Sequence, residues 1–298
     1  MGPRNGHIAH PAGRSPVTAA PETVFTGWSL RRREMLRRCP REYFLHYCEA
    51  IGGWEIKCAS HKKVFLHCLR ELKEKKWYVR QTVFSVFREL FLAGETEAEK
   101  LLQLCLEKCE REFERMLSGA WLEDHRVMML RELTLPETNY ARFKESVRNE
   151  ITAAAAVFQR EAADKILAVP SECRLALPFP LEVETGEVKT YLTPVAAWLK
   201  EGIFHVFSAG EPNPESIALL LLYALNFFNC PPGRCRIFFF TDGRFLQAPL
   251  PESLSMPLRQ IHEESRMMIK AVSGTQMKDF PRETAHCSCC RFHPFCGM

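Results

Sequence analysis

The sequence predicts a mixed α/β (α+β) protein, with a helical N-terminal half packed on a mixed sheet. Three observations carry this. Apolar residues recur at helical spacing through most of residues 28–168. After Cys173 the period shifts to short β-branched and aromatic runs divided by glycine turns. Finally, Cys287-Ser-Cys-Cys-Arg-Phe-His-Pro-Phe-Cys296 places four cysteines within ten residues, too many for packing alone.

In chain order, residues 1–25 carry Gly, Pro, His and Ser with little periodicity and read as a disordered tail. Residues 26–298 read as one domain: a helical part over 26–170, a sheet core over 171–250, and a last helix with the cysteine loop over 251–298. Residues 28–50 are helical and basic, and Pro40 kinks or restarts the helix. His61–Leu92 and Glu95–Leu117 continue as helices, punctuated by Gly94 and Gly119. Residues 137–168 form another.

Cys173–Val183, Val188–Leu199 and Ile203–Phe207 are predicted strands, with turns at Glu184-Thr-Gly-Glu187 and Lys200-Glu-Gly202. Pro214–Phe228 is a buried helix. Arg236–Phe240 and Phe245–Ala248 form a hairpin across Asp242-Gly243. Ser253–Val272 is the last helix.

Composition excludes some classes. A hydrophobic content of 46% with 26% charged residues is ordinary for a globular protein. No apolar run reaches the length of a membrane span, so no membrane partner is expected. Thirteen cysteines without an apolar leader point to a reducing, cytoplasmic setting and to metal rather than disulfides. The net charge of +4 permits nucleic-acid binding without requiring it.

Cys287, Cys290 and Cys296 form a C-x2-C-x5-C pattern. Thiolates so close in sequence suit zinc or an iron–sulfur cluster. Three leave the centre one ligand short, and the best remaining candidate is Cys39 in Arg38-Cys-Pro-Arg-Glu-Tyr-Phe44. Cys289 is expected to point away. Beside Cys39, Arg31, Arg33, Arg37, Arg38 and Arg41 crowd one helix. They are candidate phosphate contacts, for which the forked guanidinium is well shaped, or else a solvated face.

Cys39-Pro40-x2-Tyr43-Phe44…Tyr47, with the C-terminal cysteine spacing, resembles the iron–sulfur branch of the PD-(D/E)XK nucleases. That branch comprises the RecB-like and AddB-like domains and the CRISPR-associated RecB-like exonucleases. The resemblance covers roughly residues 26–298. It implies a restriction-endonuclease-like mixed sheet core whose ends are stapled by a [4Fe–4S] cluster on Cys39, Cys287, Cys290 and Cys296, with zinc as the alternative metal. It also implies DNA as a partner, with a helicase or another repair or defence protein possible beside it.

The same resemblance fails at its chemistry. The family needs an aspartate on the second strand, Asp/Glu-x-Lys on the third to hold Mg²⁺ and activate water, and Q-x3-Y on the next helix. Here Leu192–Leu199 has no acid, Val206 and Ser208 stand in the third-strand positions, and the helix has Leu219 and Tyr223. His67 occupies a metal-histidine position, yet a histidine on an apolar helix is more often packed. Glu182, Glu184, Glu187 and Asp242 are candidates for a relocated site, and His67 with His205 for a zinc-like pair. No catalytic residue is assigned. The reading is a degenerate nuclease-like protein that binds DNA or scaffolds a complex. The alternatives are a nuclease with relocated acids or a zinc-stapled interaction module.

Overall fold

The computed structural model describes residues 27–296 except 56–58, 123, 125–126, 187 and 274–276, and leaves undescribed the side chains of 270–273 and 289. The tail expected over residues 1–25 lies outside the described residues.

Helices α1 (Leu30–Arg38) and α2 (Pro40–Phe44) are separated by one extended residue, Cys39, at φ −158° and ψ 106°. The ring of Pro40 disfavours helical backbone in the residue before it, yet suits the first turn of a new helix. So the proline restarts the helix, as its position predicts. A π-helical turn, Leu45–Glu49, follows.

Then come α3 (His61–Glu71), β1 (Leu72–Lys73), α4 (Lys75–Leu92) and α5 (Lys100–Leu117). Gly94 and Gly119, at φ 79° and 80°, take the left-handed step beyond α4 and α5. After β2 (Met129–Leu130), which pairs in parallel with β1, α6 (Tyr140–Phe158) runs through a π-helical turn into α7 (Asp164–Leu167).

The strand region departs from its prediction in two places. Cys173–Val183 is not one strand: Ser171–Cys173 is a 3-10 turn and only Leu181–Thr185 forms β3. Pro178 and Pro180 lack the N–H groups a ladder needs. Val188–Leu199 divides at Thr193-Pro194 for the same reason, into β4 (Val188–Leu192) and β5 (Ala196–Lys200).

The β3–β4 pair is a separate two-stranded hairpin. The main sheet runs β5, β6 (Ile203–Ala209), β7 (Cys235–Thr241), β8 (Arg244–Gln247). Its outer pairs are antiparallel, while β6 and β7 are parallel and joined by α8 (Pro214–Phe228). Glu201 and Gly202, then Asp242 and Gly243, all have positive φ, as two-residue hairpin turns demand. Helix α9 (Ser255–Ser273) leads to 3-10 turns and the short α10 (His293–Cys296).

Side chains alternate across β6. Phe204 and Val206 join α8, α9 and the hairpin in one apolar cluster, with Ala197, Ile237 and Phe239. Phe207 faces the other way, into a cluster with α4, α5 and α6 that also holds Ala196 and Trp198. The sheet is therefore covered on both sides, which explains why its strands read as nearly continuous apolar runs.

The fully buried Phe207 meets Phe84, Phe87 and Phe158 at ring separations of 5.9, 6.2 and 5.7 Å. Replacing Phe207 with Ala removes the ring that joins the helices to the sheet. Urea denaturation should report a loss of about 3–5 kcal/mol; a loss below ~1 kcal/mol would show that the helices hold the sheet by other contacts.

Candidate metal centre

Cys39, Cys287, Cys290 and Cys296 all line one small pocket, together with Leu45, Phe292, Arg282, Glu283, His286 and His293. The two ends of the described chain meet there. Each ligand candidate has a local reason for its place. Cys39 is the joint between α1 and α2, and its Sγ accepts a bond from the Glu42 backbone N–H at 3.5 Å. Cys287 lies in a 3-10 turn, Cys290 follows that turn and Cys296 ends α10.

A third apolar cluster of Phe44, Leu45, Leu66, Phe280 and Phe292 closes the floor, and Cys290 and Cys296 pack on it. Arg41 reinforces the joint by donating from Nε to the Phe280 carbonyl at 2.9 Å. Arg291 donates to the carbonyls of Arg70 and Leu72 at 3.0 and 2.7 Å.

The electrostatics record the convergence. Burial pushes the Cys290 thiol up to about 11, and Glu42 and Cys39 add to the rise. Arg282, which donates from Nε to Cys287 Sγ at 3.2 Å, is raised by Cys287 first and then by Cys296 and Cys39. Four sulfurs gathered beside a carboxylate repel one another once ionised. A cation relieves that, and soft thiolates suit zinc or iron.

Among the described residues, no three His, Cys, Asp or Glu side chains are close enough to hold a single ion. Four thiolates around one zinc would stand within about 4 Å of one another, given Zn–S near 2.3 Å. A cubane cluster takes one thiolate on each of four irons and spreads its ligands more widely. The side chain of Cys289 lies outside the described residues.

The candidate arginines divide. Arg33 NH1 lies 2.8 Å from Glu215, with both side chains nearly buried at 12% and 6% exposure. That position withdraws Arg33 from any phosphate. Arg37 bonds Glu264 at 2.5 Å, and the same carboxylate accepts from Trp28 Nε1 at 2.9 Å. Arg38 grips Glu42 through two nitrogens, with its shortest contact 2.7 Å. The partners Glu42, Glu215 and Glu264 are each at most 5% exposed. Three buried carboxylates therefore account for three of the arginines. Arg31 is exposed, and Arg37 and Arg38 keep their outer edges in solvent.

The nuclease-like strand positions hold no acid. Val206 is fully buried against α8 beside Leu219 and Tyr223, and Ala196 is buried on the opposite face. The two larger cavities, about 420 and 380 Å³, open on the α4 side and are lined by Val195 and Ala209 and by Gly210 and Phe240. Shifting the register by one residue to that face yields Phe207 and Ala209, again without a carboxylate.

Of the relocation candidates, Glu182 pairs with Lys189 at 2.9 Å on the hairpin, Glu184 is exposed and Glu187 lies outside the described residues. Asp242 lines the 380 Å³ cavity with Glu150 and Glu211, and Thr241 donates to Glu211. His205 is stacked against Trp198 and Phe238, which also stack on each other, whereas His67 packs edge-on to Trp54. The two histidines have different ring partners.

Comparison with family models, with curated proteins and with solved structures finds no match to this chain.

Sequence reading missed the acids that partner the arginines. Nothing in Glu215 or Glu264 marks them as buried; only the crowding of five arginines beside Met35 and Leu36 hints that some must be neutralised. Removing Arg33 leaves Glu215 buried without its partner, so Arg33→Ala should cost about 3–5 kcal/mol by urea denaturation. Replacing both Arg33 and Glu215 with Leu should recover most of that loss. Equal stabilities of R33A and the parent would show the pair to be incidental.

Proposed function

We propose that this chain is an iron–sulfur, PD-(D/E)XK nuclease-like protein that has lost its nuclease chemistry and binds DNA or scaffolds a DNA-handling complex. The observation that carries the reading is the meeting of Cys39 with Cys287, Cys290 and Cys296 in one pocket from opposite ends of the chain. Their softness and number suit a [4Fe–4S] cluster, with zinc as the alternative metal. When bound, the cluster would supply charge compensation and a covalent fastening of α1 to the C-terminal loop. The surrounding residues bury Cys39 and half-bury the other three, and Arg282 and the Glu42 amide direct N–H groups at two of the sulfurs.

The strand order, a hairpin and two more strands before α8 and another strand after it, supports the fold-level likeness. The loss of catalysis rests on charge. Hard Mg²⁺ sheds water only to several oxygen ligands, and Val206, Ser208, Ala196, Phe207 and Ala209 offer at most one hydroxyl. Without metal, nothing lowers the pKa of an attacking water or neutralises charge on a scissile phosphate.

Anaerobically purified protein should be brown and carry about four iron and about four sulfide per chain, the cluster's composition. Cys39→Ala should lose most of both and unfold less cooperatively. Colourless protein with one zinc per chain would replace the cluster with zinc. End-labelled DNA incubated with Mg²⁺ or Mn²⁺ should not be degraded above a buffer control. DNA affinity should fall steeply as salt rises, because phosphate contacts release counterions. Metal-dependent degradation abolished by Glu211→Ala or Asp242→Ala would instead establish relocated acids.

A further inference from the structure

Beside the cysteine pocket, and sharing Glu42, His286 and Cys290 with it, lies a second hollow of about 60 Å³. Three guanidiniums line it from three separate parts of the chain: Arg38 from α1, Arg131 from the 3-10 turn after β2, and Arg291 from the cysteine loop. His286 closes the loop side, and Glu42 and Glu74 are the only acids among its lining. Glu42 is already held by Arg38 through two nitrogens. We propose that Arg38, Arg131, His286 and Arg291 form a binding site for a tetrahedral oxyanion, a phosphate group.

The size fits. A water needs about 10–15 Å³ of such space, so the hollow of about 60 Å³ holds roughly four to six oxygen-sized groups, room for the four oxygens of a phosphate. The charge fits too. Its lining carries three guanidiniums, Arg38, Arg131 and Arg291, against two carboxylates, Glu42 and Glu74, which leaves a net positive charge. Buried His46 nearby is held well below its ordinary value by burial, and then by Arg70, Arg31, Arg291 and Lys73. An anion in the hollow would balance the positive charge that Glu42 and Glu74 leave over.

The donors fit as well. Arg291 bonds two carbonyls through NH1 alone, and a guanidinium carries five N–H groups in a planar fork matched to phosphate oxygens. Arg131 and Arg291 are half-buried while Arg38 and His286 are exposed, so the anion would sit in a walled hollow with a solvent-facing mouth. This deepens the proposed DNA-binding reading by naming a contact, and it ties that contact to the loop that carries three of the cysteines. A nucleic-acid terminal phosphate and free inorganic phosphate share this chemistry.

The test uses metal-loaded, full-length protein. Titration calorimetry with inorganic phosphate should give a saturable site. Arg131→Gln lies outside the cysteine loop and should weaken it about tenfold or more, with iron content and far-ultraviolet circular dichroism unchanged. Arg131→Lys, which keeps charge but not the fork, should fall between the two and serves if R131Q proves unstable. In anisotropy measurements, a 5′-phosphorylated oligonucleotide should bind more tightly than its 5′-hydroxyl twin, and phosphate should compete only with the former.

Phosphate binding without any oligonucleotide binding would keep the site, assign it to free phosphate and overturn the DNA reading. Oligonucleotide binding indifferent to the end group and to R131Q, with no phosphate isotherm, would overturn the site and leave the DNA reading standing.

Discussion

The attachment of α1 to the rest of the molecule governs everything else in this structure. Arg33 and Arg37 reach buried carboxylates on α8 and α9, and Trp28 adds a bond to the same Glu264. Those contacts fix the helix axis, and the axis fixes where Cys39 emerges at its end. Paired buried charges add little net stability over apolar residues of the same shape, but a broken pair is costly. Their value here is geometric: an arginine displaced by one turn would leave a carboxylate alone in a dry site, so the helix has one seating. Arg38 and Arg41 extend the same logic to α2 and to the backbone at Phe280.

The central sheet shows a different economy. Its strands meet helices on both faces, so nearly every position is filled by a ring or a branched chain. Phe207 locks to Phe84, Phe87 and Phe158 on one side, while Val206 packs toward α8 on the other. A carboxylate at either position would be buried without a partner, at a cost of several kcal/mol. Among the described residues the charged groups near this sheet lie at its rims, where Glu211 and Asp242 line one cavity.

Much of this was legible in the residues. Pro40 announced the break between α1 and α2, Pro214 and Asn229 bracket α8 where the apolar run said they would, and Asp242-Gly243 forms its turn. The errors came from reading apolar continuity as strand continuity: Pro194 and the pair Pro178 and Pro180 interrupt ladders that hydrophobicity alone would have carried through. That Cys39 lines one pocket with Cys287, Cys290 and Cys296 was expected from the resemblance, whereas short-range spacing joins only the last three. The arginine partners were not. Ion pairs between residues far apart in sequence, as in Arg33–Glu215 and Arg37–Glu264, leave no local trace, and an exposed arginine and a buried one are spelled identically. Arg131 was hidden in the same way, since its neighbours in sequence say nothing of Arg38 or Arg291.

The cysteine pocket also carries a consequence for biosynthesis. The hairpin, the four-stranded sheet, α8 and α9 all lie in sequence between Cys39 and Cys287. On the ribosome, α1 and α2 emerge first and Cys39 waits as a lone thiol while that whole length is translated. Its partners arrive only after β5–β8 have been made, and they can be presented correctly only once α8 and α9 have docked on the sheet. Closing so long a loop by random search is slow and entropically costly. The intervening fold shortens the search by bringing both ends to the same side beforehand. The pocket is thus completed only after the residues of the sheet, α8 and α9 have been made.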